Sequence, residues 1–127
     1  MFFLAVAALV LMPQPAGFTP AGSDGETSWS YASQIREDPT TGDLMTRIAA
    51  TYASPQSRSD GASVSYSIWP VDIDCGGQIG WAPGTDYTAD GRPLGRAPDR
   101  PATLRRDASP GVQATVDQIC RNGANDE

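Results

Sequence analysis

Residues 109–120 read Ser-Pro-Gly-Val-Gln-Ala-Thr-Val-Asp-Gln-Ile-Cys, and they decide the architecture. Ser109 is a natural helix cap, and Pro110 fits the first helical position, where a missing N–H leaves nothing unpaired. Val112, Val116, Ile119 and Cys120 fall at i, i+4, i+7 and i+8, one apolar stripe along a helix. Arg121 suits the negative end of the helix dipole, and Asn122-Gly123 supplies residues able to take a left-handed stop. Cys120 therefore faces whatever the helix packs upon.

The other of the two cysteines ends residues 64–75, Val-Ser-Tyr-Ser-Ile-Trp-Pro-Val-Asp-Ile-Asp-Cys. Val64, Tyr66 and Ile68 alternate with Ser63, Ser65 and Ser67, giving an apolar face and a serine face, as in a half-buried strand. Beyond Ile68 the parity flips: Trp69, Val71, Ile73 and Cys75 share one side, Asp72 and Asp74 the other. A slip of this kind predicts a bulge, and Pro70 is placed to make it. Both thiols then point at one core, and in an exported chain such a pair reads as a bridge, Cys75–Cys120. Closing a loop of about 45 residues stabilises a fold by about 4 kcal/mol on chain-entropy grounds. Against a total of about 5–15 kcal/mol that is a large share. Two cysteines without a histidine make a poor zinc site.

Further strands follow from period-two patterning. Trp29, Tyr31 and Ile35 recur on odd positions, and Asp38-Pro39-Thr40-Thr41-Gly42-Asp43 supplies a turn. Leu44, Thr46, Ile48, Ala50 and Tyr52 suggest the hairpin partner; their spacing of four also permits a short helix, and we prefer strand. Residues 54–62 read as a polar loop. Ile79 and Trp81 begin a short strand broken by Pro83-Gly84, and Asp90-Gly91 marks a tight turn between Tyr87 and Leu94. The expected fold is α+β: an antiparallel sheet of four to six strands with one C-terminal helix, clamped by the disulfide and preceded by an apolar leader.

Residues 1–21 read as that leader. The uncharged run Phe2–Met12 falls short of the roughly 20 residues a membrane span needs and matches the apolar core of a secretory signal. Thr19-Pro20-Ala21 is the better-spaced cleavage site and Gln14-Pro15-Ala16 the poorer one; an uncleaved anchor is the alternative. Residues 22–26, within a Gly/Pro/Ser/Thr-rich stretch from Gly17 to Glu26, read as a linker, 27–123 as a single domain and 124–127 as a disordered tail.

The chain of 127 residues carries a net charge of −6, with no lysine and no histidine among its cations. An acidic domain is repelled as a whole by nucleic acid and anionic lipid, so no nucleic-acid partner is expected, and a membrane partner only if the leader is retained. Without histidine or lysine the abundant serines lack the usual base, and no enzyme activity, metal or cofactor is expected. Asp72 and Asp74 lie about 7 Å apart on one strand face. Too few oxygens accompany them for calcium, and a solvated outer face accounts for them. Asp86 and Asp90 read as turn residues. Chance pairing of fifteen acids accounts for any glycosidase-like carboxylate pair.

The sharpest local signal is residues 92–106, where Arg92, Arg96, Arg100, Arg105 and Arg106 face a single acid, Asp99. The local charge of +4 within an acidic domain would steer an acidic protein or polyanionic surface. The plainer reading is a proline-broken surface loop whose arginines pair with the acidic remainder. Trp29, Trp69 and Trp81 could line a groove, but at alternating strand positions they are read as core.

Asp74-Cys75, Tyr87 to Gly91, and Pro110-Gly111 through Ile119-Cys120 resemble the surface-adhesin protein E-like family of small exported bacterial domains, over residues 64–122. The resemblance implies an antiparallel sheet with a disulfide-fixed C-terminal helix. Adhesion to host proteins belongs to one branch of that family, and no binding residue is carried over. The first half departs from the pattern at Trp29 and the 38–42 turn. The expected function is a non-enzymatic exported binding or envelope-associated protein acting through a sheet surface or the arginine-rich loop. The alternatives are a periplasmic inhibitor of a hydrolase that inserts residues 86–96, and a structural accessory subunit of a membrane complex.

Overall fold

A computed structural model describes residues 14–125; the leader segment Met1–Met12 lies outside the described residues. Every strand pairing is antiparallel. The curled sheet runs β1 (Phe18–Asp24), β2 (Thr27–Ala32), β4 (Leu44–Ser57), β5 (Ser63–Ile73), β6 (Gln78–Trp81) and β9 (Thr103–Leu104) along its main path. Short β3 (Arg36–Glu37) lies against β4, and β7 (Thr85–Tyr87) pairs with both β5 and β8 (Pro93–Arg96). The nine strands among the described residues exceed the expected four to six because five of them hold only two to four residues each. Such strands are too short for alternation to register.

One helix, α1 (Pro110–Asn125), covers the sheet against β1, β2 and β4. Its Val112, Val116 and Ile119 are fully buried with Trp29, Ile48, Trp69, Ile73 and Ile79. At about 1.5–3 kcal/mol for each large apolar side chain removed from water, that contact contributes strongly to stability. The capping reading holds: Pro110 opens the helix and the Ser109 hydroxyl accepts the Val112 N–H at 3.4 Å. The stop does not, because α1 runs through Asn125. Gly123 is buried within the helix, and a Cβ there would lie 2.5 Å from Leu44 Cδ1, so it gives Leu44 room rather than a left-handed turn.

Cys75 and Cys120 are bonded, with their Cα atoms 5.9 Å apart and both side chains against the core. A bridge of this kind belongs to an oxidising, exported environment. Among the described residues no helix is long and apolar enough to cross a membrane.

Residues 44–52 are strand throughout, paired with β2 from Thr27↔Tyr52 to Tyr31↔Ile48. Three other expectations change. The stretch 18–24 is a strand, not a loose link, so the 22–26 linker and the end of the leader fall within a β1–β2 hairpin. Gly22 allows this: a Cβ on it would meet the Gly111 carbonyl at 2.5 Å, so β1 and the first turn of α1 touch backbone to backbone. Strand β4 extends to Ser57 through what reads as a polar loop. The slip in β5 lies near Ser65, where the β4 register jumps between Thr51 and Gln56; Pro70 pairs regularly with Arg47. Consequently Ser67 turns inward beside Trp69, Val71 and Ile73, and the serine face ends before it.

Candidate functional site

Where β5 meets β7, Ser67 stands directly opposite Asp86. Opposed residues lie within side-chain reach, and the Ser67 hydroxyl donates to Asp86 Oδ1 at 2.6 Å. The Tyr52 and Ser67 hydroxyls are 2.9 Å apart; with the Ser67 proton given to Asp86, Tyr52 is the donor. The second carboxylate oxygen accepts from Arg58 Nη1 at 2.7 Å, and the same nitrogen donates to the Arg96 carbonyl at 3.0 Å. Asp86 is only 3 % exposed, so this carboxylate depends on its two donors rather than on water. Gly95 brings the guanidinium in: a Cβ there would sit 2.9 Å from Arg58 Nη2. Burial pushes the Tyr52 phenol above its ordinary range, with the Asp86 charge adding and the Ser67 hydrogen bond opposing, so Tyr52 is a neutral donor at physiological pH.

These groups line a 460 Å³ cleft together with Arg96 and Pro98. Chemically it offers two guanidinium groups and a phenol at its walls, with Arg58 fixed by three acceptors, counting Asp60 at 3.2 Å from Nε. A planar donor fork held in place suits a carboxylate or phosphate.

The arginines expected to act together have separate jobs. Arg92 is exposed beside the Thr88–Gly91 turn, whose Gly91 has φ 89°. Arg96 is exposed, pairs with Asp99 at 3.2 Å and lines the cleft. Arg100 packs over the rings of Trp29, Trp69 and Trp81. Arg105 donates to the Cys75 carbonyl and pairs with Asp117 of α1, bracing the helix beside the disulfide. Arg106 is exposed, and its carbonyl accepts from Gln113. Arg96 lines this cleft, whereas Arg105 and Arg106 line a separate one with Gly76 and Gly77.

Arg58, Ser67 and Asp86 escaped the sequence reading. Arg58 sits in the apparent polar loop, Ser67 reads as part of a serine face opposite Val64, Tyr66 and Ile68, and Asp86 reads as a turn residue. The one available signal was the parity slip in 64–75, misplaced at Pro70. Trp29 and Trp69 are core, as their positions imply. Asp72 and Asp74 are exposed, and Asp74 accepts the Gly76 N–H within a turn. Among the described residues no group of three or more potential metal ligands comes together.

A second carboxylate has a clear structural task. Asp24, at the end of β1, accepts the Trp29 indole N–H at 2.8 Å, the Gly111 N–H at 2.8 Å and the Ser109 hydroxyl. Burial alone would raise its carboxyl, but these bonds outweigh burial and hold it below the usual range. Compared with known proteins, the chain matches no family model, no curated protein and no solved structure.

Proposed function

We propose that the protein is a non-enzymatic exported binding protein that takes an acidic group of a partner protein or polyanionic surface into the Arg58–Arg96 cleft. The observation that supports this most is the dry Asp86 carboxylate, which fixes Arg58 at the wall of a cleft that Arg96 also lines. Proteins hold a buried ion pair at a cost in desolvation, and an arginine so fixed is ready to bind without losing further side-chain freedom. Of the arginine-rich segment, Arg96 joins this site; Arg58 replaces the others. An envelope or surface address suits such a partner.

The test is capture from envelope extract at low salt and at about 0.5 M salt, where charges more than a few ångströms apart are screened. Capture should disappear at high salt and in R96A. Capture that survives both would exclude recognition of charge at this cleft.

A second reading, inhibition of a hydrolase by the 86–96 hairpin, has one feature in its favour. The hairpin is stiffened at its base by Asp86 and by the Tyr66–Tyr87 stack, with ring centroids 5.0 Å apart. Inhibition in a panel of lysozymes and proteases would favour it, and a blank panel would remove it.

A further inference from the structure

Trp29, Trp69 and Trp81 come from three different parts of the sheet, and a cation sits where they meet. Their ring centroids are 6.3, 6.4 and 5.8 Å apart, with interplanar angles of 33°, 60° and 87°. Arg100 Cζ lies 5.3 Å from the Trp29 centroid, 5.4 Å from Trp69 and 4.5 Å from Trp81. The charge is therefore walled on three sides, the arrangement of an aromatic cage rather than of a single stack. Two walls are polarised in the favourable sense. The Trp29 N–H is donated to the Asp24 carboxylate and the Trp69 N–H to the Pro98 carbonyl, and each donation shifts electron density onto the ring. Asp24 also adds a favourable field at Arg100.

The present occupant matches this box poorly. A guanidinium carries five N–H donors, and aromatic faces offer them no conventional acceptor. Among the described residues Arg100 forms no ion pair, and its Nε is buried without a partner. Burial pulls it below the ordinary arginine range. Arg100 hangs from residues 97–102, a stretch without helix or strand that carries Pro98 and Pro101, so its withdrawal would break no ladder of the sheet.

We propose that the tryptophan box is a binding site for a quaternary ammonium group, and that Arg100 is a self-ligand which closes the box until such a cation displaces it. A quaternary ammonium spreads its charge over a C–H shell. It has no donor to leave unsatisfied and sheds water more readily than a guanidinium, so it satisfies the box where Arg100 does not. The site is separate from the Arg58–Arg96 cleft and takes the opposite charge, so either proposal can fail without the other.

The test titrates the disulfide-intact protein with tetramethylammonium, with tert-butyl alcohol as the neutral isostere, following tryptophan fluorescence and binding heat. A self-ligand lowers apparent affinity by the fraction of time the box is open, so R100A should bind tetramethylammonium about tenfold or more tightly than the parent. R100K should stay closed, W81A in the R100A background should abolish binding, and the alcohol should bind R100A at least about tenfold more weakly than the cation. A folded R100A that binds no better than the parent, or that takes the alcohol equally well, would overturn the proposal. Should R100A not fold, the Arg100 Nε–H resonance of the parent protein decides. It must shift and exchange faster with solvent under excess tetramethylammonium, and an unchanged signal overturns the proposal just as firmly.

Discussion

Replacing Asp24 by alanine tests the junction on which both ends of the domain depend. The change strips the acceptor from three donors at once: the Trp29 indole, the Gly111 amide in the first turn of α1, and the Ser109 hydroxyl. Trp29 is 5 % exposed, so its N–H has little water to turn to, and leaving it unpaired costs about 1–3 kcal/mol. Losing a carboxylate at the positive end of the helix dipole costs about a further 0.3–1 kcal/mol. Ser109 is exposed and finds water, so its share is small. The total is about 2–4 kcal/mol, which for a domain of this size lowers the melting temperature by about 10 °C. D24N should fall between, since the amide keeps an acceptor and loses the charge.

The loss also has a pH signature. The Asp24 carboxyl in the folded protein lies below its ordinary value, so its contribution is complete above the unfolded pKa of about 4 and disappears as pH falls through the lower folded one. The gap between D24A and the parent should therefore be wide at pH 7 and narrow toward about pH 3. Urea unfolding followed by helix circular dichroism, with the slope unchanged, measures both. A loss under about 1 kcal/mol at pH 7, or one that does not vary with pH, would refute the assigned role.

Four further outcomes are expected. Changing Cys75 and Cys120 together to serine should cost about 4 kcal/mol in urea unfolding, and a loss below about 1 kcal/mol would place the tie where it constrains little. R58A should destabilise the fold by leaving the buried Asp86 carboxylate with Ser67 as its remaining side-chain donor, and the R58A/D86A double variant should lose much less than the sum of the single changes; simple additivity in that cycle would show the two uncoupled. Asp43 is raised by its hydrogen bond to Asp72, by burial and by the nearby Asp74 and Asp38 charges, so it favours the folded state at low pH and opposes it once pH rises through its folded pKa. D43N should accordingly raise the melting temperature at pH 7 but not at about pH 3, and equal effects at both would contradict this. Mass spectrometry of the exported protein should find its first residue at or before Phe18, where β1 begins, because cutting after Ala21 would leave only Gly22–Asp24 of the strand that carries Asp24. A stable product beginning at Gly22 would show that half of β1 is dispensable.

The parts of the fold that could be read in the chain are those whose cause is local. The Ser109-Pro110 start, the stripe of Val112, Val116 and Ile119, and the Asp90-Gly91 turn each carry their own reason within a few residues. The bridge was legible because both cysteines fell on apolar faces. What escaped depends on distant partners. Residues 18–24 lack the apolar alternation of a strand and become one because Gly22 fits Gly111 and Asp24 binds the helix start. The slip in β5 is fixed by the extra residues of β4, invisible from 64–75 alone. Gly123 reads as a stop until Leu44 is found against it. The candidate sites were half legible for the same reason: the arginine-rich segment stood out by charge, but Arg58 and Asp86 gain meaning only when two hairpins bring them together.

The union of β1 with α1 bears on how the protein is made. Asp24 and Gly111 lie 87 positions apart, so β1, though paired at once with β2, meets α1 only after the intervening sheet has been made. A nascent chain lacking its final turns has neither the lid over its sheet nor the second sulfur. The sheet is therefore covered late, when α1 and the second sulfur arrive together.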